Sequence, residues 1–340
     1  MNARKLPSGR WQSKVYIGAV DGAKKFVTVT EDTRKECLLK AAQVKSEHSQ
    51  TIPKITVSQA VEKYIEAKEG VLSPSTVVGY LSKKKLYIDR MPIGACRLDQ
   101  LTPEKVQQWV SSLTTRLSKK SIQNAMGLLM PSVKMFYPKA DLTAKLPQGK
   151  KYKGYVPSTE EVLEFLQLAR EWDERLYRAC LLAAFSTLRR SEIACLTADD
   201  LHGNILRVDK DIVRNKNGKW ITKLPKTEDS VRDIPLPQWV ADEMPKEGLL
   251  VAYRPDEITK WFGRVLKKSG LPPFRFHDLR KHAVSLMATK GVSMASIKEI
   301  GGWSNMQTPQ QIYIKALADA HEREMEQYVN YVEDLKTAKL

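Results

Sequence analysis

No stretch of this 340-residue sequence approaches the roughly 18 to 20 consecutive apolar positions that a membrane-spanning helix needs, so the chain reads as a soluble protein. Nor is there an amphipathic anchor or a lipidation motif that would hold it at a membrane surface. Cysteine is scarce: four thiols, Cys37, Cys96, Cys180 and Cys195, lie far apart. That spacing argues against both a zinc site and a disulfide framework, and the thiols are expected to be buried. Met1 to Arg10 is polar and basic with no apolar stretch behind it, unlike a secretory signal, which places the protein in the cytoplasm. No internal repeat is present.

Negative charge is also in short supply, but only in part of the chain. The whole carries 56 Lys+Arg against 39 Asp+Glu, a net charge of +17. Residues 1–50 hold ten basic and five acidic side chains, residues 51–153 eighteen and seven, and residues 154–340 are nearly balanced at 28 and 27. The N-terminal half therefore carries the positive field. Such a field favours a polyanion, with nucleic acid first among candidates because each neutralised phosphate releases condensed counterions. The rival reading is that the excess serves solubility alone.

Punctuation along the chain divides it into three regions and points to a mainly α protein with small β-sheets. Arg10 to Gly18 and Lys25 to Thr30 read as strands around an Asp21-Gly22 turn, followed by a helix from about Thr33 to Ser49. After a linker at Thr51 to Lys54, helices are expected to about Lys145, with Ser73-Pro74 and Thr102-Pro103 as start signals. Val106, Trp109, Val110, Leu113 and Leu117 recur at helical spacing, as do Ile122, Ala125, Met126, Leu129, Val133 and Phe136, with a kink expected at Pro131. Lysines 83 to 85, Lys119 and Lys120 suit either a DNA backbone or solvent. A basic, breaker-rich connector at Leu146 to Pro157 precedes the third region, about residues 155–340. There Ser158 and Glu161 form a capping box, a mostly apolar helix surrounds Leu176 to Phe185, and short strand-like runs with an Asn217-Gly218 hairpin form one small antiparallel sheet.

The third region also holds the polar residues with chemical potential. Arg189 and Glu192 stand three apart at a helix start, so Glu192 can orient the guanidinium. His277 and Arg280 repeat that spacing. Lys226-Thr227 lies between two strand-like runs, which places the ammonium at a hairpin tip, and Tyr313 falls early on a short helix opened by Thr308-Pro309. Taken singly, each has an ordinary alternative: an ion pair, a surface contact, a soluble edge, a packing tyrosine. Asp199-Asp200 and Glu228-Asp229 read as surface turns rather than metal ligands, so neither metal nor cofactor is expected.

Their order carries more than any one of them. Arg189 with Glu192, Lys226-Thr227 ahead of Arg232-Asp233-Ile234-Pro235-Leu236, His277-Asp278-Leu279-Arg280, Gly302-Trp303-Ser304 and then Tyr313 together resemble the tyrosine recombinase (phage integrase) family, as in the integrase of a mobile element. The resemblance covers the third region. The first two regions are similar in architecture only, to an arm-type DNA-binding module (1–50) and a helical, SAM-like core-binding domain (54–146), with the catalytic domain at 155–340. It implies that Tyr313 attacks a DNA phosphate to form a 3′-phosphotyrosyl link, with Arg189, His277 and Arg280 stabilising the phosphoryl oxygens, Trp303 donating a hydrogen bond and Lys226 protonating the departing 5′-oxygen. It further implies a homotetramer on two synapsed DNA attachment sites, with room for accessory DNA-bending or excision factors, and a C-terminal tail packed on a neighbouring protomer; packing of that tail on its own domain is the alternative. Three positions depart from the usual pattern: Trp303 stands where most members have histidine, Thr187 where glycine is common, and Lys281 where a further histidine is frequent. The competing reading is an architectural DNA-binding protein that kept the fold without cleavage. A relaxing topoisomerase without site preference is a third.

Overall fold

The computed structural model describes residues 2–20, 23–48, 53–149, 155–224 and 230–339, in two compact units, Met1–Lys150 and Lys151–Leu340. The Asp21-Gly22 turn and residues 150–154 of the expected connector fall outside the described residues.

In the first unit, β1 (Arg4–Lys5), β2 (Trp11–Val20) and β3 (Ala23–Glu31) form an antiparallel sheet in that order, followed by α1 (Arg34–His48). Period-two alternation sends Val15 and Val29 inward against Cys37 and Ala41 of α1, while Tyr16 and Phe26, cross-strand partners 5.5 Å apart, stay exposed on the other face. Five helices follow: α2 (Val57–Lys68), α3 (Pro74–Lys84), α4 (Pro92–Ala95), α5 (Pro103–Leu113) and α6 (Lys119–Phe136). Their apolar stripes meet around Val61, Val106, Leu113, Leu128 and Leu129, and the Trp109 indole satisfies its N–H on the carbonyl of Tyr87 at 2.6 Å. Thr102 caps α5 as its sequence signals. Ser73 stands at the start of α3, yet its hydroxyl pairs with that of Thr76 rather than with a backbone N–H. α6 continues through Pro131, and the adjacent Ser132 hydroxyl donates to the Leu128 carbonyl.

The second unit contains α7 (Thr159–Trp172), α8 (Glu174–Ser186), α9 (Arg190–Ile193), β4 (Leu201–His202), β5 (Ile205–Val208), β6 (Asp211–Arg214), β7 (Trp220–Lys223), β8 (Arg232–Pro235), α10 (Gln238–Asp242), α11 (Pro255–Ser269), α12 (Phe276–Thr289), α13 (Met294–Gly301) and α14 (Gln307–Lys339). α8 runs through the centre because nearly every side chain from Leu176 to Ser186 is apolar or small and buried. Phe165, Phe262, Phe274 and Phe276 interlock around it at centroid separations of 4.6 to 5.7 Å. The capping box of Ser158 and Glu161 forms in both directions.

Several expectations are corrected. Among the described residues of this unit the strands make two small sheets, β4-β5-β8 and the β6-β7 hairpin, instead of one. β8 pairs with β5, Leu206 opposite Ile234, and β7 pairs with β6. Lys226, expected at a hairpin tip, lies outside the described residues, as do Thr227, Glu228 and Asp229. Asp200 is no surface charge: it is buried, accepts from the Thr197 backbone N–H at 2.7 Å, and pairs with Lys210 at 2.6 Å. Of the four thiols, Cys96 is half-buried and three are buried. The helix of Tyr313 is long, not short, since nothing from Gln310 onward is glycine or proline to stop it. Its distal apolar side chains, including Tyr328, Val329 and Tyr331, are exposed.

Candidate active site

The site is organised by the C-terminal end of α13. A helix leaves its last carbonyls without intrahelical donors and with partial negative charge. Here three consecutive carbonyls each receive a different arginine. Arg232 Nε donates to Ile300 O at 2.7 Å, Arg280 Nη2 to Gly301 O at 2.7 Å, and Arg189 Nη2 to Gly302 O at 2.8 Å. Gly302 ends the helix in the left-handed region, at φ +60°, where a side chain is disfavoured.

Arg189 comes from the turn between α8 and α9, and Arg280 from the first turns of α12. The turn before Arg189 is held by Thr187, whose backbone is left-handed, whose carbonyl accepts from Arg280 Nη1, and whose hydroxyl reaches Ile300 O at 3.3 Å. Arg280 is 2% exposed, whereas the Arg189 side chain keeps 35% of its surface. Burial, and then the charge of Arg189, pull Arg280 well below the ordinary guanidinium range. The pair is thus a cationic site whose charge is incompletely compensated, and an anion lodged against it would relieve that.

Glu192 takes the orienting place expected of it and more. Its Oε1 accepts from Arg189 Nη1 at 2.7 Å and Arg232 Nη1 at 3.2 Å; its Oε2 accepts from the Arg189 backbone N–H at 2.7 Å and Arg232 Nη2 at 3.0 Å. Burial alone would push this carboxyl up, but Arg232 and then Arg189 outweigh it and hold Glu192 below the usual carboxylate range.

Trp303 follows the α13 cap, and its ring centroid lies 4.0 Å from Arg280 Cζ. Gly301 makes this seat: a Cβ there would fall 1.6 Å from Trp303 Cζ3. His277, in the first turn of α12, opens to solvent. Partial desolvation, then the charges of Arg280 and Lys281, push it down to about 4, and the helix N-terminus works in the same direction. Tyr313 is half-buried on α14, packed with Trp303 and Ile312 against Val284, Ala288, Ile297 and Ala316. Among the described residues its hydroxyl has no hydrogen-bond partner. No group of three or more His, Cys, Asp or Glu among the described residues is placed to hold a metal ion.

Of the sequence-derived candidates, the structure brings Arg189, Glu192, Arg280 and Trp303 into one bonded or stacked cluster, sets His277 one turn from Arg280 on α12, and packs Tyr313 against the same small apolar cluster as Trp303. Sequence reasoning assigned no role to Arg232, which is 5% exposed and ties Glu192 to α13. A signal was present: in a strand whose Ile234 and Leu236 face inward, period-two alternation turns Arg232 inward too, and an inward arginine needs a partner.

Residues 158–319 match the model of the phage integrase family. The chain is 24% identical over 356 residues to the ICEBs1 integrase of Bacillus subtilis, covering 92% of this chain and 95% of that one. It is 26% identical over 234 residues to the prophage phiRv2 integrase of Mycobacterium tuberculosis, where the match spans 61% of each, about three fifths of that relative's length. Among solved structures, the Tn1549 transposon integrase superposes with a TM-score of 0.65 at 19% identity, over 79% of this chain and 99% of that one. A lambda integrase dimer does so with a TM-score of 0.59 at 15% identity, over 92% and 94%. The chain is mostly helical with small antiparallel sheets, like those integrases in fold, and residues 158–319, which hold the arginine cluster, belong to the phage integrase family.

Proposed function

We propose that this protein is a site-specific DNA recombinase that integrates or excises a mobile element through a covalent link to Tyr313. The observation that carries this reading is the pairing of Arg189 and Arg280 on adjacent carbonyls, Gly302 O and Gly301 O, the first guanidinium partly open to solvent and the second stacked on Trp303.

A phosphodiester is already anionic, and attack by an oxygen builds further charge on its non-bridging oxygens. Two fixed guanidinium forks meet that charge without metal, and one such donor in an oxyanion site is typically worth about 3 kcal/mol. The Tyr313 phenol gives its proton to solvent as Oη bonds to phosphorus and the bond to the 5′-oxygen breaks, leaving a 3′-phosphotyrosine. Lys226 delivers a proton to that oxygen. His277, neutral at pH 7, and the Trp303 indole N–H add hydrogen bonds to the phosphoryl group. Since the link stores the phosphodiester energy, rejoining to another strand is the reverse reaction and needs no nucleotide.

Residues 1–50 then serve as an arm-type DNA-binding module, 54–146 as the core-binding domain and 155–340 as the catalytic domain. The Tn1549 integrase structure is a complex with a circular intermediate DNA, and lambda integrase forms a tetramer bound to a Holliday junction. By analogy this chain assembles as a homotetramer on two attachment sites in the cytoplasm of a bacterial host, with accessory DNA-bending or excision factors, and the exposed end of α14 is available to a neighbouring protomer.

The test is incubation, without metal or nucleotide, of the full chain with a nicked duplex carrying the junction between its encoding element and the flanking DNA. A denaturant-resistant adduct is expected from the wild type and not from Tyr313→Phe. Binding to that junction with no adduct would favour the architectural alternative, and adducts formed equally on unrelated duplexes would favour a relaxing topoisomerase.

A further inference from the structure

Arg232 takes no part in the chemistry proposed above, yet it is among the most deeply buried charges of the second unit. Its side chain is 3% exposed and that of its partner Glu192 5%. All three guanidinium nitrogens are engaged within the protein: Nε on Ile300 O at 2.7 Å, Nη1 on Ser230 O at 3.0 Å and Glu192 Oε1 at 3.2 Å, and Nη2 on Glu192 Oε2 at 3.0 Å. A Cβ added to Gly302 would lie 3.0 Å from Arg232 Nη1, so the turn leading into Trp303 rests directly on this guanidinium.

Stability alone is a poor reason for such a pair. Desolvating a guanidinium and a carboxylate offsets most of their attraction, and apolar replacements of similar volume are often neutral or better. The arrangement has a clearer use in what it does to Arg189. Glu192 shares both oxygens between Arg189 and Arg232. With Arg189 as its only partner, the carboxylate would form a neutral couple with the guanidinium that is meant to face a phosphate. With Arg232 present, the buried cluster of Arg189, Arg232, Arg280 and Glu192 has three positive groups and one negative. Glu192 can then hold Arg189 in place without cancelling its charge. The Nε bond to Ile300 adds a second effect, since the neighbouring carbonyls of Gly301 and Gly302 hold Arg280 and Arg189.

We propose that Arg232 is a positioning residue for phosphoryl transfer: it neutralises Glu192 so that Arg189 keeps its charge for the DNA phosphate, and it clamps the end of α13 that sets the two arginines side by side. This rests on the recombinase reading.

The full chain would be assayed on the nicked junction duplex with the scissile linkage made either as an ordinary phosphodiester or as a methylphosphonate, which has no charged non-bridging oxygen. Arg232→Gln is expected to bind the duplex within about threefold of wild type, because few of the phosphate contacts that set affinity lie at this buried position. It should form adduct about 100-fold more slowly on the phosphodiester. Arg232→Lys, which restores charge without the two-pronged geometry, should recover about tenfold of that loss. On the methylphosphonate the gap between wild type and Arg232→Gln should shrink to about threefold, since the neutral linkage makes less use of Arg189's charge. Equal deficits on both linkages, or no deficit on the phosphodiester, overturn the positioning role. Should Arg232→Gln fail to fold, the ratio of the two linkages for Arg232→Lys decides in the same way. No Tyr313-dependent adduct from the wild type on either linkage overturns the recombinase reading and this role with it; a wild-type adduct with equal deficits overturns the role alone.

Discussion

The indole of Trp303 covers the guanidinium of Arg280, 4.0 Å from ring centroid to Cζ, and it can do so only because Gly301 beneath it has no side chain. A desolvated contact of this kind is worth about 2 kcal/mol. Together with the carbonyls of Thr187 and Gly301, it leaves Arg280 2% exposed.

Gly301→Ala should uncover Arg280. The new Cβ would sit 1.6 Å from Trp303 Cζ3, so the ring has to leave its seat. Labelling of the intact protein with an arginine-selective dicarbonyl, read by peptide mass spectrometry, should show Arg280 protected in the wild type and modified in the variant. Arg189, already partly open, should react in both. Unchanged protection of Arg280 in Gly301→Ala would mean that Trp303 is not its cover.

Acid should destabilise the second unit through two histidines. His277 is pushed down to about 4 by partial desolvation and then by Arg280 and Lys281, and burial pushes His282 down as well. Both are proton acceptors near the ordinary value of 6.5 once unfolded. For His277, between that value and about 4 the unfolded chain binds more protons, so the stability it contributes is complete above 6.5 and is lost as pH falls through the window; His282 acts in the same direction. Denaturant midpoints between pH 7.5 and 5 should therefore fall in the wild type and fall less in His277→Gln. An identical decline in that variant would assign the loss elsewhere. Glu192, Asp200 and Asp278 titrate below their usual range and lose their contribution only at lower pH.

How much of this was legible in the sequence depends on how local the cause is. The Ser158–Glu161 box and the Asn217-Gly218 turn are set by neighbours within a few residues, and both formed as read. The helical stripes of α5 and α6 were legible for the same reason. The pairing of β8 with β5 was not legible, because it is set by burial of Leu206 and Ile234 and not by any turn signal. Arg232 went unassigned because its role exists only where residues 192, 232 and 300 meet. The spacing of Arg189 and Glu192 could show that they share a face, but not that a second arginine completes the carboxylate.

The lysines of the first unit admit a direct electrostatic check. Lys119 and Lys120 are exposed at the start of α6. If they meet a DNA backbone, replacing both with glutamine in the full chain should weaken binding to any duplex and reduce the slope of log affinity against log salt by about 1 per lost phosphate contact. An unchanged slope would return them to the role of a solvated helix face.

Thr187 gives an unusual stability order. It is the one described non-glycine residue with positive φ, at 57°, and a β-branched side chain in the left-handed region costs about 1–2 kcal/mol. The position is fully buried, and the hydroxyl donates to Ile300 O at 3.3 Å, which offsets part of that cost. Thr187→Ala loses the hydroxyl and the methyl but keeps a Cβ in the strained conformation. Thr187→Gly loses the same groups together with the strain. In an ordinary helix alanine is the more stabilising of the two by about 1 kcal/mol; here the glycine variant should be more stable than the alanine variant by about 1 kcal/mol in denaturant unfolding, with both below the wild type. The arginines make the comparison functional as well. The Thr187 carbonyl accepts from Arg280 Nη1 in this backbone conformation, so a glycine variant that keeps the conformation should also keep Arg280 shielded from dicarbonyl labelling. If alanine proved the more stable, the left-handed turn would not be a strained element of the folded protein, and the register it imposes between α8 and the end of α13 would need another cause.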